Sequence, residues 1–160
     1  MGLNRDLLAA ICQHVQAAYP EETCGGLLGR VRGAEALAVV ETVPLANVDQ
    51  AERHRRYLIG PHDVLALERR AEAAGLQVLG YYHSHPDAPA QPSPFDREHA
   101  WPWYVYVIVR VEEGRAREAR AWQLSDDRET FKPVLVNGSE HVAIETEESR
   151  CGLQSSSPPP

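Results

Sequence analysis

The run Tyr81-Tyr82-His83-Ser84-His85-Pro86 is followed, with seven residues between His85 and Ser93, by Ser93-Pro94-Phe95-Asp96, so three groups able to ligate a metal lie within fourteen residues. Gln77 to His83 reads as a buried strand. Side chains alternate along a strand, so His83 and His85 project to one side, where two imidazole nitrogens can converge on a cation, while Ser84 faces the other way. Asp96 supplies a third ligand if the loop carrying Pro86, Pro89, Pro92 and Pro94 folds back over the strand end. Two neutral imidazoles and a carboxylate suit zinc and leave a fourth position for water. Such a site is hydrolytic, because zinc brings the pKa of water toward neutrality and polarises a carbonyl. A His-x-His pair alone is weak, since histidines on half-buried strands are commonly just hydrogen-bonded. Ser93-Pro94-Phe95-Asp96 also has the form of a helix start, with serine as cap, proline first and an acid third. The two readings are compatible, for a cap fixes the backbone that aims Asp96.

A hydrolytic site also needs a base. Glu21 and Glu22 stand before the lean run Cys24-Gly25-Gly26-Leu27-Leu28-Gly29. Spacing does not choose between them, and plain solvation at a helix–strand junction accounts for either. Cys24 reads as packing, because nothing near it lowers a thiol pKa. Cys12 lies beside an apolar helical stripe and reads as core.

These residues need elements to hold them. Asn4 can cap a helix whose Leu8, Ile11, Val15 and Tyr19 recur at helical spacing, ending at Pro20. Cys24 to Val31 and Ala34 to Val43 read as a hairpin joined at Arg32-Gly33. After a polar loop, Arg55 to Ile59 reads as a short strand. Pro61 opens a second helix with Val64, Leu67, Ala71 and Ala74 on one face, closed by Gly75 in the left-handed region. Beyond the Pro94 to Ala100 turn of helix, Trp103 to Val111, Arg117 to Leu124 and Phe131 to Val136 read as strands. Two main helices among about six strands, mixed but mostly antiparallel, predict an α+β sandwich with a short helix at the metal site. Residues 1–136 form the expected domain. Residues 137–160 are expected to be an acidic, then Ser/Pro-rich tail, largely disordered, ending Ser155-Ser156-Ser157-Pro158-Pro159-Pro160.

The pairing of Glu22-x-Cys24-Gly25 with His83-x-His85-x7-Ser93-x2-Asp96 closely resembles the signature of the JAMM metallopeptidases, also called MPN-plus or Mov34/PAD-one. The likeness spans roughly residues 4 to 136, and Gly80-Tyr81-Tyr82 and Tyr104 to Val109 share it. The resemblance implies a JAMM/MPN-like fold and one zinc ion per chain, held by His83, His85 and Asp96. It implies Glu22 as general base and Ser93 as the hydroxyl that steadies the oxyanion; Glu21 matches nothing. With all five positions present, a degenerate metal-free scaffold is a poor comparison. Family enzymes cut peptide or isopeptide bonds at the C-terminus of ubiquitin-fold proteins. The short connections make the chain similar to small stand-alone prokaryotic members that process sulfur-carrier proteins, releasing cysteine or another C-terminal residue. Removal of ubiquitin-like modifiers from protein lysines is the alternative, and a non-catalytic module binding ubiquitin-fold partners is an alternative of another class. Substrate is expected as an extended strand on a sheet edge near the zinc.

The 160 residues carry 16 basic and 23 acidic side chains, a net −7, with 43% hydrophobic residues. That disfavours nucleic acid and fits a folded soluble chain. Residues 137–160 hold Glu140, Glu145, Glu147 and Glu148 against Arg150, so much of the charge lies outside the expected domain. Arg53, Arg55 and Arg56 offer a path for an acidic partner, or are simply a solvated loop. Trp101 and Trp103 read as core or rim packing. Three cysteines, Cys12, Cys24 and Cys151, make no disulfide framework. No apolar stretch nears the roughly 20 residues of a membrane span, and no leader is visible. A cytoplasmic, membrane-free protein is expected.

Overall fold

The computed structural model describes residues 1–33 and 36–144. Helix α1 (Arg5–Ala18) starts where Asn4 accepts a hydrogen bond from Leu7 N–H and buries Ile11, Cys12 and Val15. Strands β1 (Cys24–Arg32) and β2 (Ala36–Leu45) form the expected hairpin, with Gly33 at φ +62° in its turn. Helix α2 (Pro61–Ala73) opens on its proline and buries Leu67 and Ala71. Gly75, at φ +64°, lets the chain turn straight into β3 (Gln77–Pro86). Then follow α3 (Pro94–His99), β4 (Val105–Glu112), β5 (Arg115–Leu124), β6 (Phe131–Val134) and the short β7 (Val142–Ala143).

The strands make one sheet in the order β2-β1-β3-β4-β5-β6, with β7 also pairing β5. Among the described strands only the β3–β4 pairing is parallel. This is the mixed, mostly antiparallel α+β architecture the sequence predicts. Helix α1 covers one face, over a core of Ile11, Val15, Leu27, Tyr82 and the inward valines of β4. Helix α2 covers part of the other, where Leu67 and Ala71 meet Leu28, Tyr81, Tyr106 and Leu124. Burying both faces explains why β3 and β4 are near-continuous apolar runs rather than alternating ones.

Strand β1 is lean because its neighbours are large. A Cβ on Gly25 would lie 2.3 Å from the Tyr82 ring, itself 1% exposed and fixed by a 2.9 Å hydrogen bond between its hydroxyl and His14 Nδ1.

Three details depart from the sequence expectation. Residues 55–59 form no strand and belong to a loop spanning 46–60. Strand β3 extends through His85 and Pro86, so both histidines sit on regular backbone. The ordered chain also continues past residue 136: Val142 and Ala143 pair with Ala119 and Glu118, and Val142 and Ile144 pack on the α1 core. Two-residue strands lack the length to show a period of two, which is why the sequence does not reveal this one. The rest of the expected tail, residues 145–160 with Cys151, lies outside the described residues. Among the described residues no helix is long and apolar enough to cross a membrane.

Candidate metal centre

The β1–β3 ladder places Cys24 opposite His83. One step on, Ser84 N–H donates to Thr23 O at 3.0 Å, and Thr23 N–H donates to the Ser84 hydroxyl at 3.1 Å. This side-chain bond stands where strand pairing ends, and the residue before Thr23 is Glu22, 7% exposed and near enough to His85 and Asp96 for their charges to act on it. Ser84 thus faces away from the ligands, as alternation requires, and ties the two strands together from behind.

His83 and His85 are 1% and 6% exposed, and their Nε2 atoms lie 3.0 Å apart. Helix α3 brings Asp96 to them: Oδ1 is 3.3 Å from His83 Nε2, and Oδ2 is 3.4 Å from His85 Nε2. A full capping box aims the carboxylate. Ser93 Oγ accepts from Asp96 N–H at 3.1 Å, while Ser93 N–H and Oγ–H both donate to Asp96 Oδ2 at 2.6 Å. The carboxylate that closes the capping box is therefore also the one that meets the histidines. Pro89 O accepts from His85 Nδ1 at 2.9 Å. A carbonyl only accepts, so Nδ1 carries the hydrogen and the neutral ring's lone pair sits on Nε2, pointing into the cluster. The Tyr57 ring stacks on His83 at 4.4 Å.

The donor set fits a small divalent cation. One ligand atom from each of the three residues falls within a 4.8 Å group. Two ligands about 2.1 Å from one ion at tetrahedral angles lie about 3.3 to 3.5 Å apart, close to the separations seen. Two imidazole nitrogens facing each other and a carboxylate also need a cation or a proton among them.

The charges are strongly coupled. Burial resists ionisation of Asp96, but His83, His85 and the Ser93 hydroxyl outweigh it and hold the carboxyl well below its usual range. Burial lowers His83 despite Asp96. Burial pulls His85 down too, but Asp96 and Glu22 raise it overall. Glu22 is pushed up from 4.5 to about 8 by burial, with His85 opposing and Asp96 adding. A carboxyl raised in the folded state takes up a proton on folding, so the metal-free protein loses stability as pH climbs from about 4.5 through about 8. A nearby cation reverses that shift. Metal titration at pH 7 is therefore expected to release protons, seen calorimetrically as an enthalpy that depends on the buffer's ionisation heat. Equal enthalpies in phosphate and Tris would contradict it.

Other candidates fall elsewhere. Glu21 pairs with Arg53 at 3.7 Å on the surface. Cys24 is fully buried, and burial first, with Asp63 and Glu22, lifts its thiol to about 12. Arg55 pairs with Glu52, while Arg56 lies 4.9 Å over the Phe95 ring. Trp101 and Trp103 are not core: they are 52% and 64% exposed and stack on each other at 5.1 Å. They help enclose a cavity of about 290 Å³ that reaches Asp96 and is walled by Tyr57, Ile59, Phe95 and Tyr106. The sequence reading missed Tyr57 and Asn47. Both sit in the aperiodic 46–60 loop, where no spacing signal marks a residue as functional.

A small α+β domain built around a buried group of two histidines and a carboxylate, compatible with a metal site, is the class defined by this geometry. The chain belongs to the family of prokaryotic homologs of the JAB domain, which it matches over residues 4–125. It is 38% identical over 134 residues to the desampylase of Haloferax volcanii, covering 81% of this chain and 92% of that protein. It is 33% identical over 131 residues to a protein of Thermus thermophilus described as "Probable TtuB-protein conjugate cleaving protease", covering 82% of this chain and 80% of that one. A solution structure of a Salinibacter ruber protein superposes with a TM-score of 0.69 at 39% identity, covering 85% of this chain and 90% of that one.

Proposed function

We propose that this chain is a zinc-dependent peptidase that removes ubiquitin-like modifiers from proteins by hydrolysing the amide bond at the modifier's C-terminus. The observation that carries this reading is the buried Glu22 set beside the buried His83, His85 and Asp96 group. The names of the relatives support the substrate class, one being a desampylase and the other a conjugate-cleaving protease.

His83, His85 and Asp96 would hold the ion, which supplies Lewis-acid polarisation of the carbonyl and acidifies water. Glu22 accepts the proton of the attacking water and passes it to the leaving amine. The Ser93 hydroxyl turns from Asp96 toward the developing oxyanion. Ser93→Ala is expected to lower kcat about a hundredfold, as loss of one oxyanion donor does, while Ser93→Thr retains most activity. Steady-state kinetics check this, and wild-type kcat in the alanine variant removes Ser93 from catalysis.

Among the described residues β3 lies between β1 and β4, and the outermost strands are β2 on one side and β6 and β7 on the other, so the two histidines do not sit on an outermost strand. The modifier's tail instead crosses above the sheet, between the 46–60 loop and α3, with one large apolar side chain in the aromatic cavity beside Asp96. A second reading, release of cysteine or another residue from a sulfur-carrier protein, is favoured by the short connections between motif residues, the longest being the 46–60 loop. Incubating zinc-loaded protein with a lysine-linked conjugate and with a carrier ending in Gly-Gly-Cys, read by mass spectrometry, separates the two. Free modifier from the conjugate is the expected result. Cleavage of the carrier alone selects the second reading, and no product from either overturns both.

A further inference from the structure

The Asn47 side chain makes four hydrogen bonds, the full capacity of an amide with two donor and two main acceptor positions. Its Nδ2 donates to Glu22 O at 3.0 Å and to Arg56 O at 2.9 Å. Its Oδ1 accepts from Asp49 N–H at 3.0 Å and Leu58 N–H at 3.1 Å. Around it, Glu22 N–H donates to Arg53 O at 2.6 Å, and Val48 N–H donates to Leu58 O at 2.9 Å. One side chain thus gathers the backbone of Glu22 and both arms of the 46–60 loop. That loop has no regular ladder of its own and needs a side chain to satisfy its polar groups. The same loop carries Tyr57, which stacks on His83, and Leu58 and Ile59, which wall the aromatic cavity.

We infer that Asn47 is a positioning residue that sets Glu22 and the cavity wall in fixed relation to each other, an inference resting on the reading of Glu22 as the base. Asn47 touches neither substrate nor the reacting atoms. It acts on turnover through the Glu22 backbone and on substrate binding through residues 56–58.

The substitution Asn47→Asp separates these two roles. The acceptor facing Asp49 and Leu58 remains, while the donor facing the Glu22 and Arg56 carbonyls becomes an oxygen that repels them. The zinc-loaded Asn47→Asp protein is expected to show kcat about tenfold lower, with metal content unchanged. In a Glu22→Gln background the same substitution is expected to change residual turnover less than about twofold, because its route to turnover is already gone. Asn47→Ala is expected to raise KM as well and to speed hydrogen exchange at the Asp49 and Leu58 amides. An equal fold-loss in both backgrounds, or loss of metal along with turnover, overturns the inference in favour of a general structural role. Unchanged exchange at Leu58 in Asn47→Ala overturns it too, and this measurement serves if Asn47→Asp does not fold. Wild-type activity in Glu22→Gln alone would instead defeat the assignment of the base, leaving the exchange result to judge Asn47 independently.

Discussion

Replacing Glu22 with glutamine is expected to lower kcat by about three to four orders of magnitude, the upper range for loss of a positioned proton-transfer group. Metal content should not change, because the proposed ligand group is His83, His85 and Asp96, and Glu22 is outside it. The substitution is nearly isosteric and removes a carboxyl that is costly to bury, so the metal-free variant should be at least as stable as the parent near pH 8. Kinetics on a lysine-linked conjugate, metal analysis and a urea titration make the test. A variant that keeps its metal and a tenth or more of parental kcat would show that the base lies elsewhere.

The second large effect concerns the ligands. His83→Ala removes one of three protein donors and also one of the two histidines that hold Asp96 ionised in a buried place. The remaining pair does not make a closed site, and leaving a buried charge without its partner typically costs about 3–5 kcal/mol. Metal stoichiometry is expected to fall from one per chain toward zero, activity to background, and the thermal midpoint to drop. His85→Ala should behave alike. The sharper control is the parent itself: chelation should abolish turnover, and added zinc should restore it. Full stoichiometry and turnover in His83→Ala would sink the proposed centre.

How much of this was legible in the sequence depended on distance along the chain. The grouping of His83, His85 and Asp96 was legible because they occupy one fourteen-residue run, where alternation on β3 and a serine cap fix three directions locally. Helix α1 was legible from Asn4 and its apolar stripe, and α2 from Pro61 and Gly75. Glu22 was singled out by resemblance alone, since nothing local tells it from Glu21; only the β1–β3 register, with Cys24 opposite His83, separates the two. Asn47 and Tyr57 gave no signal, because their loop is organised by one amide and one ring rather than by a repeat. For Trp101 and Trp103 core and rim packing were both open, and the structure selects the rim; residue type reports average burial, not the curvature of a cavity wall.

The pairing of Thr23 with Ser84 joins positions 61 residues apart, whereas His83, His85 and Asp96 lie within a run of only fourteen. Short loops close at lower entropic cost than long ones. During synthesis or refolding, a chain that has formed β3 and α3 but not yet docked β1 would bring His83, His85 and Asp96 together before Glu22 reaches them. On the proposed reading, the residues that would hold the ion can assemble early and locally, whereas the proposed base joins them only with the long-range strand pairing.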